Sequence, residues 1–337
     1  MIARDERLRA IALLLVPGFV GHTIQLLGED LPWAPWARLR YFNTPGWHLL
    51  LPPEVPVAIA VGLAVAVIGV AVRRSRPWVL AVVVLYAAHH LTYPYRIRNH
   101  MTHMLAELVM LGGVWTVGWA SGAVDLRGRG KHALRVDRWA ATGMAAVLCV
   151  TYFFAALHKV NRNFVALDAA RSAAVDGLTT FWIYGDLGSE PPRVAMLVAV
   201  WGTIAIEAAA PILAWRSARL RVPMVLTLLV FHFPHVAVMD VADYPMIASA
   251  FYPALFSRAH FRVLLRHARP NAWTVAGAIA GASAQLWFMP WLGSLTGFGI
   301  FVMALWGWAA GAMVRMVVHG ARRGRRTPAG ARAAAVG

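Results

Sequence analysis

A lysine ends one of the most apolar stretches of the chain. Lys159 lies in the segment YFFAALHKVNRNF, where a predicted apolar helix reaches His158 and Lys159 before the chain becomes polar. Lysines at helix ends commonly extend their charge to the lipid headgroups as anchors. Because loss of hydration disfavours the ammonium, a lysine at the edge of lipid can also act as a general base. This stretch alone favours the anchor, so the choice depends on other residues.

Four further polar residues are predicted at the membrane depth of Lys159. Asn99 and His100 begin one predicted span, and His232 and His235 lie in the outer part of another. Histidines can relay protons or stabilise a developing anion, and an asparagine can orient a carbonyl or hydroxyl group. Polar groups at this depth are costly unless they pair or line a cavity, so their clustering predicts a functional site at the outer membrane face.

Glu207 lies near the middle of another apolar segment, IAIEAAAPILAW. A carboxyl group at this depth is expected to be protonated or paired. A hydrogen bond that holds two helices together and a role in the site are both open readings of this residue.

Two pairs of histidines have a spacing that could bind a metal ion. His100 with His103, and His232 with His235, are three residues apart on a helix. This spacing is common by chance, and the neighbouring lysine and arginine residues disfavour a bound cation. We therefore predict no metal site. The dense histidine boxes of a membrane di-iron oxygenase are also missing from the sequence, which contains no HxxHH.

Composition sets the fold class. The chain has 337 residues, of which 59% are hydrophobic and 14% charged, and the apolar residues form long blocks. Only helices and closed barrels satisfy their backbone in lipid, and blocks of about 20 residues are too long for barrel strands. We predict an all-α, polytopic integral membrane bundle. The net charge of +17 then reflects basic loops that orient the helices, and no nucleic-acid partner is expected.

The apolar blocks give about 8 to 10 transmembrane helices in a single domain over residues 1–320. A basic, disordered cytoplasmic tail is predicted for residues 321–337. With ten spans, 24 of the 32 lysines and arginines lie on the side that holds both termini, which predicts cytoplasmic termini. The outer segment 158–192 contains a short amphipathic stretch that is expected to lie in the interface plane. The predicted spans are Ala10–Leu27, Val55–Val72, Trp78–Tyr95, Met101–Ala120, Trp139–Leu157, Val194–Trp215, Val222–Met239, the short block Tyr244–Phe256, Ala272–Trp291 and Gly297–Met316.

Four segments together resemble the vitamin K-dependent gamma-carboxylase family, which has the horizontally transferred transmembrane (HTTM) domain. They are RIRNHMTHML, YFFAALHKVNRNF, IEAAAPILAW and LLVFHFPHVAVMDVADYPMIASAFYPALF, and they lie within about residues 78–256. The resemblance implies an enzyme that deprotonates a reduced quinone, oxygenates it to an epoxide, and uses the strong base so formed in a carboxylation.

The resemblance also implies roles for individual residues. Lys159 is similar to the base, and His100 and His232 are similar to its catalytic partners. Asn99, His235 and Glu207 are the residues that we expect to contact the quinone. The chain departs from the family in having Phe164 where an aromatic tryptophan is expected, and His235 within FPH. It also has no large extramembrane portion after residue 256 in this sequence.

These observations lead to one functional hypothesis and two alternatives. The leading hypothesis is a bacterial plasma (inner) membrane enzyme that uses a reduced quinone, menaquinol or a vitamin K hydroquinone-like molecule, with O2, and with CO2 if carboxylation persists. Its partners would be membrane lipid, quinone and an unknown protein or peptide substrate. The alternatives are a quinone- or lipid-binding membrane protein without catalysis, and a histidine-cluster di-iron oxygenase.

Overall fold

The computed structural model describes residues 52, 54–73, 76–92, 133–184, 189–237, 248–288 and 296–326, together with Arg7, Ala10, Ile11 and Leu14. Asn99, His100, His103 and the predicted span Met101–Ala120 lie outside the described residues, as do residues 327–337 of the predicted tail. The helices in the described part are α1 (Glu54–Arg73), α2 (Arg76–Thr92), α3 (Ala133–Lys159), α4 (Ala173–Tyr184), α5 (Arg193–Arg216), α6 (Arg221–Ala237), α7 (Tyr252–Leu255), α8 (Arg258–His267), α9 (Ala272–Phe288) and α10 (Thr296–Arg326).

All regular structure in the described residues is helical, as the sequence predicts. In the part of the chain that the structure describes, three helices contain stretches long and apolar enough to cross a membrane: Arg138–Lys159 of α3, Arg193–Arg216 of α5 and Gly299–His319 of α10. We conclude that the chain is a helical membrane protein.

Helices α3, α5 and α6 form the part of the bundle that holds the polar residues. Along α3, the buried side chains of Leu148, Tyr152 and Ala156 recur every four residues and define one face. Along α5, the buried face carries Glu207 and Ala214, seven residues apart. The opposite face of α5 is exposed and apolar, which is the surface that a membrane helix presents to lipid.

The short apolar block near residue 250 is interrupted. Residues 248–250 are helical, Phe251 is in a turn, and α7 is only four residues long. Pro253 explains part of this break, since a proline lacks the N–H group that would continue the preceding helix. Helix α8 then begins at Arg258, and the side chain of the preceding residue, Ser257, caps it by accepting a hydrogen bond from the backbone N–H of His260. The predicted spans leave residues 257–271 unassigned, so α8 is a helix that the sequence pattern did not predict.

Glycines bring α9 and α10 into close contact. A Cβ atom placed on Gly277 would collide with the backbone carbonyl of Gly307, and one placed on Gly281 would collide with that of Met303. Small residues are the usual means by which membrane helices approach each other closely.

Helix α10 also extends beyond the predicted span. It continues to Arg326, so residues 321–326, assigned from the sequence to the disordered tail, are helical. Arginine is a good helix former, and extending an existing helix needs no new nucleus.

Candidate functional site

An ion pair between two membrane helices is the centre of the site. The Nζ atom of Lys159, in the last turn of α3, donates to both carboxylate oxygens of Glu207 on α5, at 2.8 Å to Oε1 and 2.6 Å to Oε2. Glu207 is 3% exposed and Lys159 is 25% exposed. The carboxylate is thus enclosed by protein, while part of the lysine side chain is accessible.

Local sequence explains how the two helices present these groups. Lys159 follows Tyr152 and Ala156 on the same face of α3, because residues seven and three positions apart share a face of a helix. Glu207 is followed by three alanines and Pro211, and these small side chains leave room for α3 against α5. The ring centroid of Phe164 is 5.8 Å from Nζ of Lys159.

The ion pair lies deep in the membrane-spanning part of α5. Glu207 is fourteen residues after Arg193 and nine before Arg216, the two ends of the helix. At about 1.5 Å per residue, it is about 21 Å from one end and about 14 Å from the other. Both distances are comparable to half the thickness of a hydrocarbon core of about 30 Å. Although Lys159 ends the apolar stretch of α3, its ammonium is directed into the bundle, towards the buried carboxylate.

A second set of hydrogen-bonded polar side chains lies nearer the start of α3 than Lys159 does. The hydroxyl of Tyr152 is 2.5 Å from Nε2 of His232 on α6 and 2.9 Å from the hydroxyl of Tyr252 on α7. His232 is completely buried. Seven residues separate Tyr152 from Lys159, which corresponds to about 10 Å along the helix. The three side chains form a hydrogen-bonded chain that joins α3, α6 and α7.

His235 lies beside this chain. Its Nδ1 atom donates to the backbone carbonyl of Phe231 at 3.0 Å, and its ring centroid is 5.5 Å from that of His232. His235 thus lies in ring contact with the tyrosine–histidine chain.

Of the six residues selected from the sequence, the structure describes four, and it places them in two pairs. Lys159 is bonded to Glu207, and His232 is in ring contact with His235. Asn99 and His100 are outside the described residues. Sequence reasoning missed Tyr152 and Tyr252.

A signal for Tyr152 was present in the sequence. It precedes Lys159 by seven residues, on the same helical face, and a tyrosine inside a membrane helix needs a partner for its hydroxyl. The pairing of Lys159 with Glu207 was also not predicted, although pairing was one of the two states expected for Glu207.

The donor set of the site suits proton exchange. An ammonium, a carboxylate, an imidazole and two phenolic hydroxyls can each hold or pass a proton. Among the described residues, no three His, Cys, Asp or Glu side chains form a group that could hold a metal ion.

The fold and the site define an all-helical membrane protein with a charged pair in its interior. No family model, curated protein or solved structure matches this chain.

Proposed function

We propose that the protein is a membrane enzyme that binds a reduced quinone, with Lys159 as the base that takes its proton. The observation that carries this proposal is the Lys159–Glu207 ion pair within the spanning part of α5. A charged pair at this depth is costly to form, so ionisable residues inside a membrane protein are first interpreted as functional.

Glu207 can accept the proton that Lys159 carries. A lysine that donates to a carboxylate carries its proton and has no lone pair to offer. Transfer of one proton from Nζ to Glu207 makes both groups neutral, which a site of low polarity favours. Lys159 is then a free amine that can accept a proton from a hydroxyl group, and the protonated Glu207 can donate a hydrogen bond.

The surroundings of the pair fit a ligand with an apolar body and polar hydroxyls. The ring of Phe164, whose centroid is 5.8 Å from Nζ of Lys159, provides an apolar surface beside the pair. A quinone, when bound, would supply the redox chemistry with O2. The chain's own groups would hold its hydroxyls and move its protons, with His232 as the second polar contact and His235 and Glu207 nearby.

Several parts of this proposal rest on the sequence. The resemblance to the carboxylase-like HTTM family supports the quinone, the use of O2 and CO2, and the roles of Asn99 and His100. The apolar blocks and the charge asymmetry support 8 to 10 spans with both termini in the cytoplasm, and the resemblance supports a bacterial plasma membrane. A protein or peptide substrate is part of the same proposal.

The test uses the full chain in membranes supplied with reduced menaquinone and O2. Wild type should convert the quinol to an oxygenated product, Lys159→Met should abolish the conversion, and Glu207→Gln should reduce it. Arg171→Gln, which removes an exposed charge, serves as the control and should not change the rate. Conversion by Lys159→Met at the wild-type rate would disprove the base assignment.

Bound quinone without any conversion by the wild-type protein would instead favour the second candidate, a quinone-binding protein without catalysis. The site itself supports this candidate only through the apolar ring of Phe164 beside Lys159. Extraction of quinone from the purified wild type and from Lys159→Met, followed by chromatography, separates binding from turnover.

A further inference from the structure

Helix α8 lies along one membrane face of the bundle. Near its start, Nδ1 of His260 accepts from Arg221 at 3.0 Å, and Arg221 also donates to the backbone carbonyl of Trp215, next to the end of α5. Near its other end, the ring of His267 contacts that of His319, the last residue of the spanning stretch of α10. Helix α8 is about 15 Å long, too short to join opposite faces of a bilayer core of about 30 Å. It therefore runs along the face at which the spans of α5 and α10 both end.

The outer surface of α8 is lined with arginines. Arg262 and Arg266 are four residues apart and share a face of the helix, and Arg269 follows in the turn after it. All three side chains are exposed. On the other side of α8, Phe261 is 4% exposed and its ring contacts that of Phe256. The apolar side thus holds α8 to the bundle, and the arginines are presented outwards.

The part of the chain that contains α8 carries positive charge alone. No aspartate or glutamate occurs after Asp243, whereas residues 244–337 contain ten arginines. Neighbouring guanidinium groups repel each other, so a negatively charged group placed beside them lowers their energy. The complement of this surface is therefore an anion.

The surroundings of the arginines favour a phospholipid as that anion. Leu265 shares a face with Arg262, three residues before it, and its side chain is 39% exposed. Exposed apolar side chains among basic ones are typical of helices that lie in the headgroup region, where the apolar group meets the acyl boundary. A guanidinium also matches a phosphate group, since it can donate two parallel hydrogen bonds to it. A soluble acidic partner would explain the arginines but not the leucine.

We propose that α8 and the turn after it bind the headgroups of anionic phospholipids in the adjacent leaflet. Arg262, Arg266 and Arg269 would pair with the phosphates, and Leu265 would contact the upper part of the acyl chains. The proposal does not depend on the reaction proposed for Lys159, because it concerns the end of α5, about 14 Å from Glu207.

Lipid binding to the full chain in detergent micelles tests the proposal. Native mass spectrometry gives the affinity for dioleoylphosphatidylglycerol and, for comparison, dioleoylphosphatidylcholine. The test variant is Arg266→Gln with Arg269→Gln. The matched control, Arg171→Gln with Arg193→Gln, removes the same charge from two exposed arginines, and its Arg193 lies at the other end of α5. Circular dichroism checks that each variant keeps its helices.

Wild type should bind the anionic lipid more tightly than the zwitterionic one. The test variant should bind the anionic lipid about ten-fold more weakly, because each basic residue near an anionic headgroup adds to the attraction. The control should keep its affinity, since Arg193 is about 35 Å along α5 from Arg216, well beyond the range of screened charges. Equal weakening in both variants would mean that only net charge matters and would overturn the site. No preference of wild type for the anionic lipid would also overturn it, and would favour an acidic protein as the occupant.

A fluorescent label on α8 tests the contact with lipid directly and leaves the arginines intact. The only cysteine of the chain, Cys149, is buried, so Leu265→Cys in a Cys149→Ala background takes a single bimane label. The protein is placed in lipid nanodiscs that contain dioleoylphosphatidylglycerol. Phospholipid with a spin label on its headgroup should quench the bimane, and iodide in the water should quench it only weakly. Strong quenching by iodide without quenching by the labelled lipid would place this face of α8 in water and refute the proposal.

Discussion

Removing either member of the Lys159–Glu207 pair should destabilise the protein, and the two losses should be unequal. Lys159→Met leaves the carboxylate of Glu207 in a place where it is 3% exposed. Glu207→Gln leaves the lysine, which is 25% exposed and can turn towards water. An unpaired charge costs more where less water can reach it.

The expected sizes follow from this difference in burial. Breaking a buried pair by removing one partner costs about 3 to 5 kcal/mol of unfolding free energy, and we assign a loss of this size to Lys159→Met. For Glu207→Gln, which keeps the shape and one hydrogen-bond acceptor, we expect about 1 to 2 kcal/mol. The double variant leaves no buried charge, so it should be more stable than Lys159→Met alone, with a coupling energy of about 2 kcal/mol.

A double-mutant cycle measures this coupling. Unfolding of the full chain is followed by circular dichroism as SDS is added to mixed micelles. The pair of Arg171 and Asp168 is the matched control, because its atoms are 3.7 Å apart and both side chains are largely exposed. Its coupling should be below about 1 kcal/mol. If the Lys159–Glu207 coupling is as small as that of the control, the ion pair does not hold α3 against α5 and our reasoning is wrong.

Two further predictions concern other parts of the fold. Gly277→Ala should lower the free energy of unfolding by about 1 to 3 kcal/mol in the same assay, because its methyl group meets the Gly307 carbonyl. The control is Gly202→Ala, where the added atom has ordinary contacts, and it should not lower the free energy of unfolding. Equal losses in the two variants would contradict the close contact of α9 with α10. Burial and then the neighbouring Arg221 lower the pKa of His260 from its ordinary 6.5. The unfolded chain therefore binds more protons below about pH 6.5, and stability should be complete above that pH and fall as the pH drops towards the lowered pKa. In His260→Gln this loss should be smaller, and an unchanged pH dependence would show that another group causes it.

The sequence predicted helix positions well where an apolar run has charged ends. The predicted span Val194–Trp215 and the observed α5, Arg193–Arg216, differ by one residue at each end, because arginines bound the apolar run on both sides. The helix α8 was missed for the opposite reason. Its apolar face contains only a few residues, Phe261 and Leu264 among them, between four arginines in residues 258–269, so its composition resembles that of a loop.

Several residues of the candidate site could be selected from the sequence, but the contacts between them could not. Residue type and depth selected Lys159, Glu207 and His232, since each is costly inside a membrane. Lys159 and Glu207 are 48 positions apart in the chain, and their contact depends on which faces of α3 and α5 meet. Helical periodicity within each segment does not specify that choice.

The ion pair also bears on how the chain enters the membrane. On insertion scales, a charged residue at the centre of a helix costs about 2.5 to 3.5 kcal/mol, whereas a lysine at a helix end can extend its charge outwards. Helix α3 is synthesised before α5, so Lys159 precedes Glu207 during biogenesis. Helix α5 can then insert with Glu207 beside a lysine that is already in the membrane. Formation of the ion pair sets the depth of α5 relative to α3 as α5 inserts.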